Sequence, residues 1–175
     1  EGRTFSYILH DDGIKKIHIT QNDIRAIQLA KAALYAGIRL LMEKMKIETV
    51  DRIRLAGAFG SHIDVKYAMV LGLIPDCNLE YVGAAGNAAG SGAMIALLNY
   101  DSRREIEELV RSVEKIETAV EPKFQEHFVN AMAFPHKIDS FLNLGKVIDL
   151  PIGESNYSSF VKNQNRLRKK RRRRR

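Results

Sequence analysis

The chain has 175 residues, enough for one domain with its own core, and its 45% apolar content is that of an ordinary globular protein. The formal charge of +7 is concentrated at one end. Arg166, Arg168, Lys169, Lys170 and Arg171 to Arg175 supply nine positive charges, which leaves nineteen basic against twenty-one acidic residues, a net −2, over 1–165. That distribution argues against a nucleic-acid-binding fold, which carries its basic residues on a structured face.

No apolar run approaches the roughly 18 residues needed to span a bilayer. The chain opens at Glu1 with neither Met nor an apolar leader. The expectation is a cytoplasmic fragment of a longer protein, with no membrane partner.

Residues 1–19 read as a β-hairpin. Thr4-Phe5-Ser6-Tyr7-Ile8 alternates, Asp12-Gly13 signals the turn, and Ile17-His18-Ile19 resumes the alternation. Thr20, with Asp23 three residues on, is close to a capping box and starts a long helix. Ile24, Ile27, Leu34, Ile38, Leu41 and Met45 share one face of it; Ala26, Ala30, Ala33 and Gly37 form a second, small-residue stripe that suits close helix packing. Gln28, Lys31 and Tyr35 form a polar stripe, read either as a solvated face or as a ligand surface on which Gln28 and Lys31 meet a ribose or a purine edge.

Asp51-Arg52-Ile53-Arg54-Leu55 reads as a strand running into the small-residue loop Ala56-Gly57-Ala58-Phe59-Gly60-Ser61. Asp64 caps a short helix to about Leu73, ended by Gly72 and Pro75. The one cysteine, Cys77, makes no internal disulfide and cannot hold an iron–sulfur cluster, which takes about four ligands; it reads as a packing or loop residue. Tyr81-Val82 is a short buried strand before a second small-residue run, Gly83 to Gly92, and an apolar helix, Ala93 to Leu98. A helix from Asp101 or Ser102 to Val113, an edge strand at 116–120, and a helix from Pro122 stopped by Pro135 follow. After about residue 136 the periodicity fades, and 153–175 reads as disordered. The pattern as a whole is an α/β unit with a mixed sheet.

Strand, small-residue loop and helix thus recur twice. Glycines at the C-terminal end of a strand let a ligand approach the backbone, and α/β sheets bind ligands there. Gly57, Ala58, Phe59 and Gly60 are candidates because an aromatic between two glycines suits a flat ligand. Gly86 and Asn87 open a helix whose amides can face an anion, although the same glycines also suit tight helix–sheet packing. Neither loop has the spacing of a known phosphate or dinucleotide fingerprint. The five histidines lack metal-ligand spacing and read as surface residues; Glu105, Glu107, Glu108 and Glu114 read as an exposed helix face. No catalytic residue is assigned. The arginine tail reads as a solvated tail or as a hook for polyanions.

Three blocks together resemble one family. Thr20 to Ala33 resembles a TQ-x-DIR-x-x-QLAK-x-A block, Leu55 to Gly60 matches LAGAFG, and Gly86 to Ala93 matches GNAAG-x-GA; Phe134-Pro135-His136 adds a terminal FP. These are blocks of the reductive activators of corrinoid proteins. The resemblance covers about residues 4–136 and implies the C-terminal subdomain of an actin-like, ribonuclease H-like ATPase domain. That subdomain is assigned to 1–136; an extended segment at 137–152 and a disordered basic tail at 153–175 follow, the tail lying outside the family's pattern.

The resemblance further implies a parent that couples ATP hydrolysis, with Mg, to electron transfer from a 2Fe-2S cluster in a separate N-terminal domain to the cob(II)alamin of a corrinoid protein partner. It places Gly57 to Gly60 as the adenosine loop, with Gln28 and Lys31 on the opposite wall. No DxGT/N-type phosphate loop is present, so this chain alone is not expected to hydrolyse ATP. A non-enzymatic interaction or homodimerisation module stands as the alternative.

Overall fold

A computed structural model describes residues 5–150. The first four residues of the expected hairpin, and the basic tail with its polyanion reading, lie outside the described residues. Strands β1 (Ser6–Asp11) and β2 (Lys16–Thr20) pair antiparallel. Their turn is held by Asp12, whose Oδ1 accepts the N–H groups of Ile14 at 2.9 Å and Lys15 at 2.6 Å, while Gly13 takes a φ of +81°.

Helix α1 (Gln21–Lys44) starts on a complete capping box: Thr20 Oγ1 accepts from the Asp23 N–H, and the Asp23 carboxylate accepts from the Thr20 N–H at 2.8 Å. Strand β3 (Ile53–Ala56) leads into a short helix, α2 (Ala58–His62), and then α3 (Val65–Leu71), capped by Asp64 and closed by Gly72 in the left-handed conformation. Strand β4 (Val82–Gly86) follows a 3₁₀ turn and lies parallel to β3. Helices α4 (Ala88–Leu98), α5 (Tyr100–Ser112) and α6 (Phe124–Ala131) complete the unit. No helix among the described residues is long and apolar enough to cross a membrane.

The α/β class is as expected, and among the described residues the strands form two separate two-stranded sheets. Three local expectations change. The run from Gly83 to Gly86 is strand, not loop, and the run from Ala58 to Ser61 is helical. Glycine and alanine are weak strand formers, but pairing to Ile53–Ala56 outweighs that weakness. Residues 118–120 form a turn, not an edge strand: the Val120 N–H bonds back to the Glu117 carbonyl at 3.1 Å.

The face that α1 buries is also not the expected one. Ile24, Leu34, Leu41 and Met45 stand exposed, whereas Lys31, Ala32, Tyr35, Ala36, Leu40 and Met42 are buried. Helix α6 and the segment after it cover that face. The core joins Ala32 and Tyr35 of α1 to Ala68, Met69, Ile74, Cys77, Val82 and Ala131, and to Phe141 and Leu144 from the segment whose periodicity fades. Cys77 is a buried packing residue, as read. His136 is only 5% exposed, against its reading as a surface residue.

Candidate functional site

The two small-residue loops meet. Parallel pairing of β3 with β4 brings the C-terminal ends of both strands to one edge, with Ala56 opposite Gly86 after a register shift. The Gly57 N–H donates to the Gly86 carbonyl at 2.8 Å and ties the two turns together. Gly57 has a φ of +91° and Gly86 a φ of +64°, conformations that side-chain-bearing residues adopt at a cost. A Cβ built on either glycine would meet nothing within 4 Å. Both turns are therefore open on the side where a ligand can lie against the backbone.

Two helices start from these turns. Asn87 caps α4, its Oδ1 accepting the Gly90 N–H at 2.9 Å. A Cβ on Gly90 would stand 2.5 Å from Asn87 Nδ2, so Gly90 makes room for the cap. Phe59 in α2 is 78% exposed and has no role in the core. Gly60 is different: a Cβ there would lie 2.8 Å from both Leu55 Cβ and the Leu55 carbonyl oxygen. Its smallness seats α2 on β3. Gly60→Ala is expected to destabilise the fold by about 1–3 kcal/mol through overpacking, read as a lower urea midpoint with an unchanged slope; a midpoint equal to that of the wild type would remove Gly60 from the packing argument.

No acid, base or nucleophile is contributed by Gly57–Gly60 or Gly86–Asn87. The arrangement can bind through backbone groups and one aromatic face.

Gln28 and Lys31 point elsewhere. Gln28 Nε2 donates to the Met132 carbonyl at 3.0 Å. Lys31 Nζ donates to the carbonyls of Ala133 and Pro135 and lies 5.0 Å from the centre of the Phe134 ring. Lys31 is fully buried, and burial lowers its pKa to about 8. Tyr35 continues the row. Its hydroxyl donates to Asp139 Oδ2 at 2.9 Å, and burial, then the Asp139 charge, pushes its pKa up. The polar stripe is thus an internal clamp on residues 132–139, not a solvated face.

Three members of this cluster were not singled out from the sequence: His136, Asp139 and Arg39, whose Nε lies 3.5 Å from Asp139 Oδ2. Lys31 and Tyr35 find their partners more than a hundred residues away, and no local pattern announces such a meeting. Among the described residues no group of three or more His, Cys, Asp or Glu gathers that could hold a metal ion.

Residues 1–144 match the family described as the C-terminal domain of RACo, the ASKHA domain. A corrinoid activation enzyme, RamQ, from Eubacterium limosum is 44% identical over 117 residues, which cover 66% of this chain and 20% of that protein. A solved structure described as a reductive activator for a corrinoid, iron–sulfur protein superimposes with a TM-score of 0.65 at 31% identity, covering 82% of this chain and 23% of the other. This chain therefore spans about a fifth of the length of the relatives it matches. With the matching glycine blocks now seen as two joined turns, the chain belongs to the family of C-terminal ASKHA domains of corrinoid reductive activators.

Proposed function

We propose that this chain is the adenosine-side half of an ATP-binding domain, in a parent that couples ATP hydrolysis to electron transfer from an iron–sulfur cluster to the cob(II)alamin of a corrinoid protein. The observation that carries the proposal is the joining of the Gly57 and Gly86 turns at 2.8 Å, with open space over both. Gly57, Ala58, Gly86 and Asn87 would take the nucleotide against their backbone, and the exposed ring of Phe59 would offer a face to the base. Gly60 holds α2 in place. Gln28 and Lys31 act at one remove, fixing residues 132–135 rather than touching the ligand.

Bound ATP supplies the free energy of phosphoryl transfer, and this chain contributes binding and orientation alone. A cluster does not fit here: Cys77 is the one cysteine, it is 1% exposed, and burial keeps its thiol protonated. The cluster, the Mg ion and the residues that activate water are assigned to other parts of the parent.

Titration calorimetry of ATP into the full-length parent tests the reading. Phe59→Ala should weaken binding by roughly 5- to 150-fold, since stacking a base on an aromatic ring contributes about 1–3 kcal/mol. Its exposure means that the thermal midpoint should hold. Unchanged ATP affinity would favour a second reading, an interaction or self-association module. That reading draws on α4 and α5, where Met94, Leu97, Leu98, Leu109 and Val110 stand more than half exposed.

A further inference from the structure

The segment after α6 is fastened to the rest of the unit in an unusual way. Its backbone hydrogen bonds are local, such as Lys137 N–H to the Asn130 carbonyl at 3.0 Å. Its long-range ties are made by side chains at two clamps. Gln28, Lys31, Tyr35 and Arg39 of α1 hold Met132 to Asp139. Asp76 holds the far end, its carboxylate accepting the Asn143 N–H at 2.9 Å and the Leu144 N–H at 3.0 Å. Between the clamps, Phe141 and Leu144 cover the cluster that contains Cys77, the residue after Asp76. A segment held by side chains and a few apolar contacts, with no strand ladder, has the makings of a unit that opens on its own.

His136 sits at the centre of the first clamp. Its Nδ1 accepts two backbone N–H groups, from Ile138 at 3.2 Å and Asp139 at 2.8 Å. The ring must therefore be neutral with its proton on Nε2, and that buried Nε2–H has no partner. Protonating Nδ1 would point a new N–H at two donors and break both turn bonds.

The neighbours decide whether the cation is tolerated. From α1 it is faced by the cations Lys31 and Arg39 and by the Tyr35 ring 4.7 Å away; from α6 it is faced by His127. From its own segment it is faced by the Asp139 carboxylate, 3.7 Å from Nδ1. Asp139 alone favours the charged ring, and it already binds Tyr35 and Arg39. Burial, foremost, and the Lys31 and Arg39 cations oppose it.

We propose that residues 132–150 form a proton-sensitive strap: protonation of His136 releases it as a unit from α1 and α3 and uncovers Cys77, while α1 and the β3–β4 pair remain folded. The direction of titration agrees, because burial foremost lowers the pKa of His136 to about 4 against 6.5 for a free imidazole. The open strap binds the proton about two and a half pH units earlier than the closed one. Acidification from pH 6.5 to 4 can therefore raise the open population by roughly 80-fold, out of a limit of about 300-fold reached well below pH 4.

The sole cysteine makes the test direct. The full chain is labelled with 4,4′-dithiodipyridine, which reacts with thiols in acid, and rates are referred to free cysteine at each pH. The expected result is a labelling rate that climbs between pH 6.5 and 4 while the far-UV circular dichroism holds. His136→Asn, which offers an acceptor in place of Nδ1 but does not titrate, should flatten that climb. A flat wild-type profile, a climb that only accompanies loss of helix signal, or an equal climb in His136→Asn overturns the proposal. If that variant does not fold, hydrogen exchange of the wild type decides: peptides from 132–150 must lose protection before those from 21–44, and simultaneous loss overturns it.

Discussion

Gly72→Ala is expected to destabilise the domain by about 3 kcal/mol or more, a fall in thermal midpoint on the order of 10 °C. Two effects add. Gly72 closes α3 with a φ of +70°, and a side-chain-bearing residue there costs about 1–2 kcal/mol. In addition, a Cβ would overlap the Pro135 carbonyl oxygen and stand 2.8 Å from its carbonyl carbon and 3.1 Å from Lys31 Nζ. Backbone cannot yield as a flexible side chain does, so residues 133–136 must shift off α1. Gly57→Ala is the natural comparison. It has φ +91° with ψ 171°, a backbone region that side-chain-bearing residues enter at a cost of about 1–3 kcal/mol, but nothing within 4 Å of its Cβ position, so it should cost only that backbone part. Equal losses in the two variants, measured by urea unfolding, would show that contact with Pro135 does not fix the end of α3.

That comparison also separates the glycines by task, which the sequence alone does not. Gly57, Gly60 and Gly86 all lie in small-residue runs, whereas Gly72 ends an apolar helix. What distinguishes them is what each would meet, and that depends on partners set by the fold. Features that act over three or four residues were legible: the Asp12-Gly13 turn, the Thr20–Asp23 capping box, the Asp64 cap and the Gly72 stop all rest on local hydrogen bonds or local dihedral preference. The three family blocks were legible too, and the structure shows why two of them belong together: β3 and β4 pair, and the turns at their ends share a hydrogen bond.

The face of α1 that enters the core was not legible. The helix carries an apolar stripe, a small stripe and a polar stripe, and periodicity favours the first. The polar stripe wins because three carbonyls from Met132 to Pro135 lie across it and require donors. Gln28 and Lys31 supply them. A residue can be polar because its partner is polar and buried, and the partner here arrives a hundred residues later.

Lys31 makes the last prediction, and its sign runs against intuition for a hydrogen-bonded lysine. Its folded-state pKa of about 8 lies below the 10.5 of a free lysine. Between these values the unfolded chain holds the proton and the folded chain has released it, so raising the pH stabilises the fold through this group. The contribution is present in full above about pH 10.5 and is lost as pH falls through 8. Two other buried groups work in the opposite direction: Cys77 and Tyr35 both have raised pKa values, so the unfolded chain ionises them first. Wild type alone will therefore not show the effect cleanly. Lys31→Met keeps both of those groups and removes the titration. The difference in unfolding free energy, wild type minus variant, should rise by about 1.4 kcal/mol per pH unit from pH 8 and level off near 10.5, a total of about 3 kcal/mol. At pH 7 the difference is set by two opposed terms, the carbonyls of Ala133 and Pro135 left without a donor and the relief of a buried charge. A difference that stays constant from pH 7 to 10.5 would mean that Lys31 is as well solvated in the folded chain as in the unfolded one, and the clamp on residues 132–139 would have to be assigned to Gln28, Tyr35 and Arg39 alone.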